Sequence, residues 1–394
     1  MPGLRQPPPE DRMNDMDQTA GNERRSPDPS APAPAEEGAR VAPKDVNIAL
    51  QGGGAHGAFA WGVLDLLLDD GRLAIEGISA TSAGAVNAVV CASGMLQGGR
   101  AGARRALEGF WRAVADAGAA YQPNAAAWVR QLSQPPEVHG DHIQDLLQLP
   151  GQAWATHMTG LMELNPFFRL MSGKAGTRPE PPSRSFARFL SYVASTMSSP
   201  YYFNPGNVNP LKRLIEAHVD FEALRRAPEA LKLHICATNV ETGKIRIFKN
   251  AELSADAVLA STCLPLLFQA VEIDGQYYWD GGFMGNPAIF PLIYETNSCD
   301  VVVVHIDPIV RPGCPKTTAE ILNRVNEISF NSSLMREMRA IAFVDGLIAS
   351  GKISDTEMKR MRMHAIRTDT AMAEHGAWTK AETDWNFLHG LHIS

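Results

Sequence analysis

The chain of 394 residues lacks clustered cysteine. Its five cysteines, Cys91, Cys236, Cys263, Cys299 and Cys314, are scattered and form no CxxC pair. That odd set argues against a zinc site or a disulfide framework and fits a reducing compartment, each cysteine packing as a small hydrophobe. No run approaches the ~18 apolar residues of a membrane-crossing helix. The opening stretch MPGLRQPPPEDRMNDMDQ has no apolar core of a secretory signal. A cytoplasmic protein is expected, touching membranes at most peripherally. Positive charge is not in excess: 36 Lys and Arg against 43 Asp and Glu leave a net −7, which argues against a general nucleic-acid binder. What is present is ordinary globular composition, 45% hydrophobic and 20% charged, enough for one large domain or two modest ones.

Residues 1–42 are rich in Pro, Ala and charge, as in SPDPSAPAPAEEGARVAP, and predict a disordered tail. Then VNIAL (46–50) predicts a buried strand and GAFAWGVLDLLLDDG (57–71) the helix after it, stopped at Gly71. IEGISA (75–80) and SAGAVNAVVCASGM (82–95) repeat strand and helix, the pattern of a parallel sheet with helices packed on it. From 100 to 225 a helical, cap-like insertion is expected, with Met- and Phe-rich stretches at 158–173 and 186–197. Those stretches suit internal packing, or a cap guiding an apolar substrate. LKLHICATNV and KIRIFKN flank a turn and predict a hairpin. A helix over 255–268 stops at Pro265, a second hairpin spans 271–283, and DVVVVHIDP (300–308) reads as a central strand. A helical extension is expected over 311–394, after a catalytic domain spanning 43–310.

Two readings compete for QGGGAHG. Gly52-x-Gly54-x-x-Gly57 satisfies GxGxxG between a strand and a helix, the setting of a dinucleotide site in an oxidoreductase. That reading needs a carboxylate at the end of the second strand to hold the ribose. Ser82 stands there instead, in Ala80-Thr81-Ser82-Ala83-Gly84, a G-x-S-x-G nucleophile elbow with alanine at its first glycine position. Small residues at Ala80 and Gly84 let strand and helix approach while the hydroxyl is pushed out. Ser82 alone is equally a helix N-cap. With the glycine loop it becomes more specific: serine attack on an ester makes an oxyanion, which N–H groups at Gly52, Gly53 and Gly54 are placed to bind. A base is then required. Asp280, followed by Gly281 and Gly282, is one option, although an Asp-Gly turn without chemistry has the same sequence. A Ser–Asp–His triad through His305 is the other, although His305 also suits plain strand packing. His56 is a possible pocket residue whose position suits loop architecture better than proton transfer.

Together Gly52–Gly57, Ser82 in ATSAGA, and ASTCLPLLFQAVEIDGQYYWDGG (260–282) closely resemble the patatin-like phospholipases, over roughly residues 45–310. The tail after 310 resembles the C-terminal extension of a bacterial subgroup. The resemblance implies a three-layer α/β hydrolase-like sandwich with a mostly parallel central sheet. It also implies a Ser82–Asp280 dyad in place of a triad, an oxyanion hole at Gly52–Gly54, and no cofactor or metal. A lipid ester is the implied substrate, with a carboxylesterase or an intracellular polyester depolymerase as alternatives that keep the same dyad. Ala80 replaces the family's usual glycine, and His56 stands where plant members carry arginine. Oligomeric state has no signature in the sequence.

Overall fold

The structure is a computed structural model that describes residues 42–121, 199–265, 267–368, 372 and 375–394. The expected tail and most of the expected insertion (122–198) lie outside the described residues. The described chain from Pro43 onward is one compact unit.

β1 (Lys44–Leu50) leads through the glycine loop into α1 (Gly57–Asp70), which ends at Gly71 in the left-handed region. β2 (Leu73–Thr81) turns at Ser82 into α2 (Ala83–Tyr121). The helix expected at 82–95 is present and runs on into the first part of the expected insertion, with a kink where Gly98 and Gly99 leave helical geometry. After the undescribed segment, α3 (Pro210–His218) and α4 (Phe221–Arg226) begin on Asn209 and Asp220 side-chain caps. β3 (Lys232–Asn239) and β4 (Ile245–Lys249) form the expected hairpin.

α5 (Ala255–Thr262) ends three residues before Pro265, earlier than the proline required, because Cys263 is already extended. β5 (Val271–Ile273) and β6 (Gln276–Asp280) form the second hairpin, with Asp274 and Gly275 at positive φ in its turn. α6 (Phe290–Glu295) and β7 (Asp300–His305) follow. The segment after 311 was expected to be helical. It supplies the long α7 (Thr318–Ala349), then β8 (Arg362–Arg367), then α8 (Trp385–His392). β8 pairs parallel to β7 throughout and corrects the all-helical expectation.

The eight strands make one sheet: β3-β2-β1-β7-β8 follow one another in that order, β6 also pairs with β3 and carries β5, and β4 pairs with β3 as well. From β3 to β8 every pairing is parallel; β4, β5 and β6 add an antiparallel margin. Alternation along β1 sets the two faces. Ile48 and Leu50 join the larger core with α1, α2, α3, α5 and α8. Ala49 joins the smaller one, where Leu292 of α6 and Leu334 of α7 pack on Val301 and Val303. Helices thus cover both faces, and the sheet is the middle of three layers. No described helix is long and apolar enough to cross a membrane.

Candidate active site

Two strands that share one edge of β3 create the site. β2 pairs with β3 as far as Thr81 opposite Cys236. β6 then takes over the same edge from the opposite direction, with Asp280 opposite Ala237. β4 occupies the other edge over the same residues, so β2 and β6 must run end to end. Asp280 therefore stops where Ser82 begins, although 198 residues separate them in the chain. Gly281 makes this junction possible, since a Cβ there would overlap the Cys236 carbonyl oxygen.

Ser82 sits at φ 54°, a left-handed conformation that costs a non-glycine residue on the order of 1–2 kcal/mol. Its surroundings hold it there. The Ser82 N–H donates to Ser261 Oγ at 2.9 Å, and its carbonyl accepts from Val86 N at 3.2 Å. A Cβ at Gly84 would come within 2.5 Å of the Leu50 carbonyl oxygen, so the first turn of α2 rests directly on the end of β1. Ala80 is fully buried in β2 beside Leu50 and Ile235, and its methyl is accommodated there. This is the strand–turn–helix context that a nucleophile elbow requires.

Asp280 is fully buried. Its N–H donates to the Cys263 carbonyl at 2.8 Å, its carbonyl accepts from Thr238 Oγ1 at 2.8 Å, and Oδ1 accepts from Gly282 N at 2.7 Å. Burial pushes the carboxyl up to about 6, against the opposing pull of the Gly282 N–H, the Ser82 hydroxyl and Lys380. Oδ2 completes no hydrogen bond. A buried carboxyl raised toward neutrality thus shares this cavity with a serine held at positive φ.

The three glycines do different work. The Gly52 N–H donates to Asn286 Oδ1 at 2.8 Å, so it is already engaged and is removed from the expected oxyanion set. The use of Gly52 is closeness: a Cβ there would lie 2.5 Å from Ser82 Cβ. Among the described residues, the N–H groups of Gly53 and Gly54 meet no acceptor. Both residues line the cavity that also holds Ser82 and Asp280. Gln51 fixes the loop from behind. Its Oε1 accepts from Ile306 N and Asp307 N, both at 2.7 Å, and its Nε2 donates to Asn331 Oδ1 at 2.9 Å.

His56 is buried, and its Nε2 meets Thr379 Oγ1 at 2.6 Å. Thr379 gives its own hydroxyl proton to the Gly376 carbonyl at 2.8 Å, so His56 is the donor and carries its proton on Nε2. Burial, then the charges of Lys380 and His375, pull its pKa down to about 3. His56 is accordingly a neutral latch for the C-terminal segment. His305, at the end of β7, is not among the residues lining the cavity, and β1 separates its strand from β2.

The cavity holds about 320 Å³ and is walled by Val86, Phe110, Trp111, Leu211, Leu264 and Phe330. Asn326 and Phe330 of α7 and residues 380–383 complete it. Sequence reasoning missed these, since nothing in a charged helix or a short polar turn marks it as cavity wall. Among the described residues no cluster of His, Cys, Asp or Glu is able to hold a metal ion.

A serine on a strand–helix elbow, a buried carboxylate and a glycine loop at one edge of a mostly parallel sheet define an α/β protein of hydrolase type. The family model for patatin-like phospholipase matches residues 48–293, and the chain belongs to that family. Similar solved structures include VipD from Legionella pneumophila, at 16% identity and TM-score 0.34, covering 89% of this chain and 67% of that one. The ExoU–SpcU complex from the type III secretion system of Pseudomonas aeruginosa matches at 19% identity and TM-score 0.27, covering 76% of this chain and 52% of that one. The type III effector ExoU matches at 18% identity and TM-score 0.25, covering 90% and 54%. The chain thus spans about half the length of the ExoU chains. A comparison with curated proteins gives no match.

Proposed function

We propose that the protein is a lipid acyl hydrolase that cleaves carboxylic esters through Ser82 and Asp280. The observation that carries this reading is that Ser82, the Asp280 carboxylate and the Gly53–Gly54 turn line one largely apolar cavity. Above pH about 6, the value to which burial raises it, Asp280 is ionised and able to take a proton. It accepts the Ser82 Oγ proton as that oxygen adds to the ester carbonyl. The carbonyl π electrons become an oxyanion, received by the unengaged N–H groups of Gly53 and Gly54. One such donor is worth about 3 kcal/mol in the transition state. The tetrahedral centre then expels the alcohol, which takes the proton from Asp280, and the acyl group stays on Ser82. Water next gives a proton to Asp280 and adds to the acyl carbon. Collapse releases the acid, and Asp280 returns the proton to Ser82.

The test is release of free fatty acid from phosphatidylcholine vesicles by wild type, Ser82→Ala and Asp280→Asn. Release by the wild type alone supports the reading, whereas undiminished release by Ser82→Ala contradicts it. Hydrolysis of p-nitrophenyl butyrate without attack on vesicles would assign the same machinery to a simple carboxylesterase.

A further inference from the structure

The cavity wall continues beyond the matched family segment (48–293) into the C-terminal segment. Lys380 is the one cation among the described residues lining the cavity. Two parts of it reach the site. Its backbone carbonyl lies against Gly54, which is at φ 58° and has no room for a side chain beneath that oxygen. Its Nζ donates to Asp307 Oδ1 at 2.6 Å and to Asn326 Oδ1 at 3.1 Å, and lies 5.4 Å from the Phe330 ring centroid. The neighbouring Thr379 is latched to neutral His56, so the glycine loop's own imidazole carries no charge to the site.

We propose that Lys380 is a positioning residue of this site: its backbone seats the Gly53–Gly54 turn, and its ammonium places one positive charge in the cavity that the Asp280 carboxylate shares with the forming oxyanion, acting on both. The proposal rests on the acyl-hydrolase reading above. The groups facing Asp280 give the charge a direction. Asp307, just after β7, opposes ionisation of Asp280, and Lys380 favours it. Cys263, after α5, is a neutral thiol pushed up to about 12 by burial. From the elbow comes the Ser82 hydroxyl, α7 contributes only uncharged Asn326 and Phe330 to the cavity, and the C-terminal segment adds the Glu382 carboxylate, which accepts from Thr383 N and Asp384 N. Removing the ammonium deprives Asp307 of its ion-pair partner and removes the cation that favours ionisation of Asp280, so Asp280 must then titrate at higher pH. Removing the Asp307 charge acts in the opposite direction.

The experiment uses the full chain as wild type, Lys380→Met, Lys380→Arg and Asp307→Asn. It reads kcat/KM on a p-nitrophenyl ester against pH, and the ¹³C-carboxyl titration of Asp280, assigned with Asp280→Asn. In Lys380→Met, kcat/KM at pH 7 is expected to fall about ten-fold or more. Its acid limb and the Asp280 titration should both move up by about one pH unit. Lys380→Arg should restore most of the rate, and Asp307→Asn should move the titration down. The proposal is overturned if Lys380→Met titrates at Asp280 like the wild type, whether its rate falls equally at all pH values or stays unchanged. An unmoved titration in a well-folded Asp307→Asn protein overturns it equally. Should the wild type fail to hydrolyse esters, the hydrolase reading falls, and the Asp280 titrations still decide whether Lys380 acts on that carboxyl.

Discussion

Replacing Asp280 by asparagine probes the carboxylate without emptying its place, because an amide oxygen can still accept the Gly282 N–H. In the native protein the Asp280 carboxyl is pushed from an ordinary 3.8 up to about 6. Between those values the folded state holds a proton that the unfolded chain has released. The stability this group contributes is therefore complete below pH about 3.8 and is lost as pH rises through about 6. A displacement of about two units corresponds to about 3 kcal/mol, undiscounted because the group is wholly buried. The asparagine variant has no such term. The stability difference, Asp280→Asn minus wild type, should accordingly grow by about 2.5 kcal/mol between pH 4 and pH 8, the rest falling below pH 4. Every other titrating group, and any fixed cost of the amide, cancels in that difference. Paired denaturant titrations at several pH values measure it directly. In thermal scans the same gain is a few degrees, since each kcal/mol moves a chain of this size by only about 1–2 °C. Two curves that stay parallel from pH 4 to 8 would refute a buried carboxylate with a raised pKa.

Catalysis that needs the Asp280 carboxylate should give a kcat/KM profile whose acid limb falls near pH 6, and a rate level down to pH 4 would remove Asp280 as the base. Gly52→Ala should leave a folded but inactive protein, because the added methyl lies 2.5 Å from Ser82 Cβ; ester hydrolysis and circular dichroism separate the two effects. Gly281→Ala drives its methyl into the Cys236 carbonyl on a central strand, and should cost more than about 3 kcal/mol, read as loss of soluble expression. Thr379→Val leaves the buried His56 Nε2–H without its acceptor, at a cost of about 1–3 kcal/mol, and should speed proteolysis of the C-terminal segment.

What was legible in the sequence was whatever repeats locally. The VNIAL run, the Gly71 stop, the Asp274-Gly275 turn and the ATSAG elbow each follow from neighbouring residues, and each stands where expected. β8 was not legible. RMHAIR lies at the sheet margin, mostly exposed, so no apolar alternation marks it; its pairing with β7 alone makes it a strand. The engagement of Gly52 by Asn286 and the latch between His56 and Thr379 span 234 and 323 residues, and no local pattern encodes such contacts. The same holds for Lys380, whose meaning depends on which loop its backbone happens to cover.

The most direct test of Ser82 as nucleophile and Asp280 as its base is covalent labelling by a fluorophosphonate, followed by peptide mass spectrometry across pH. The account expects one adduct, on Ser82, absent from Ser82→Ala, strongly slowed in Asp280→Asn, and slowing in the wild type as pH falls through about 6. An adduct on another residue, or labelling of Ser82 that is indifferent to Asp280 and to pH, would contradict it.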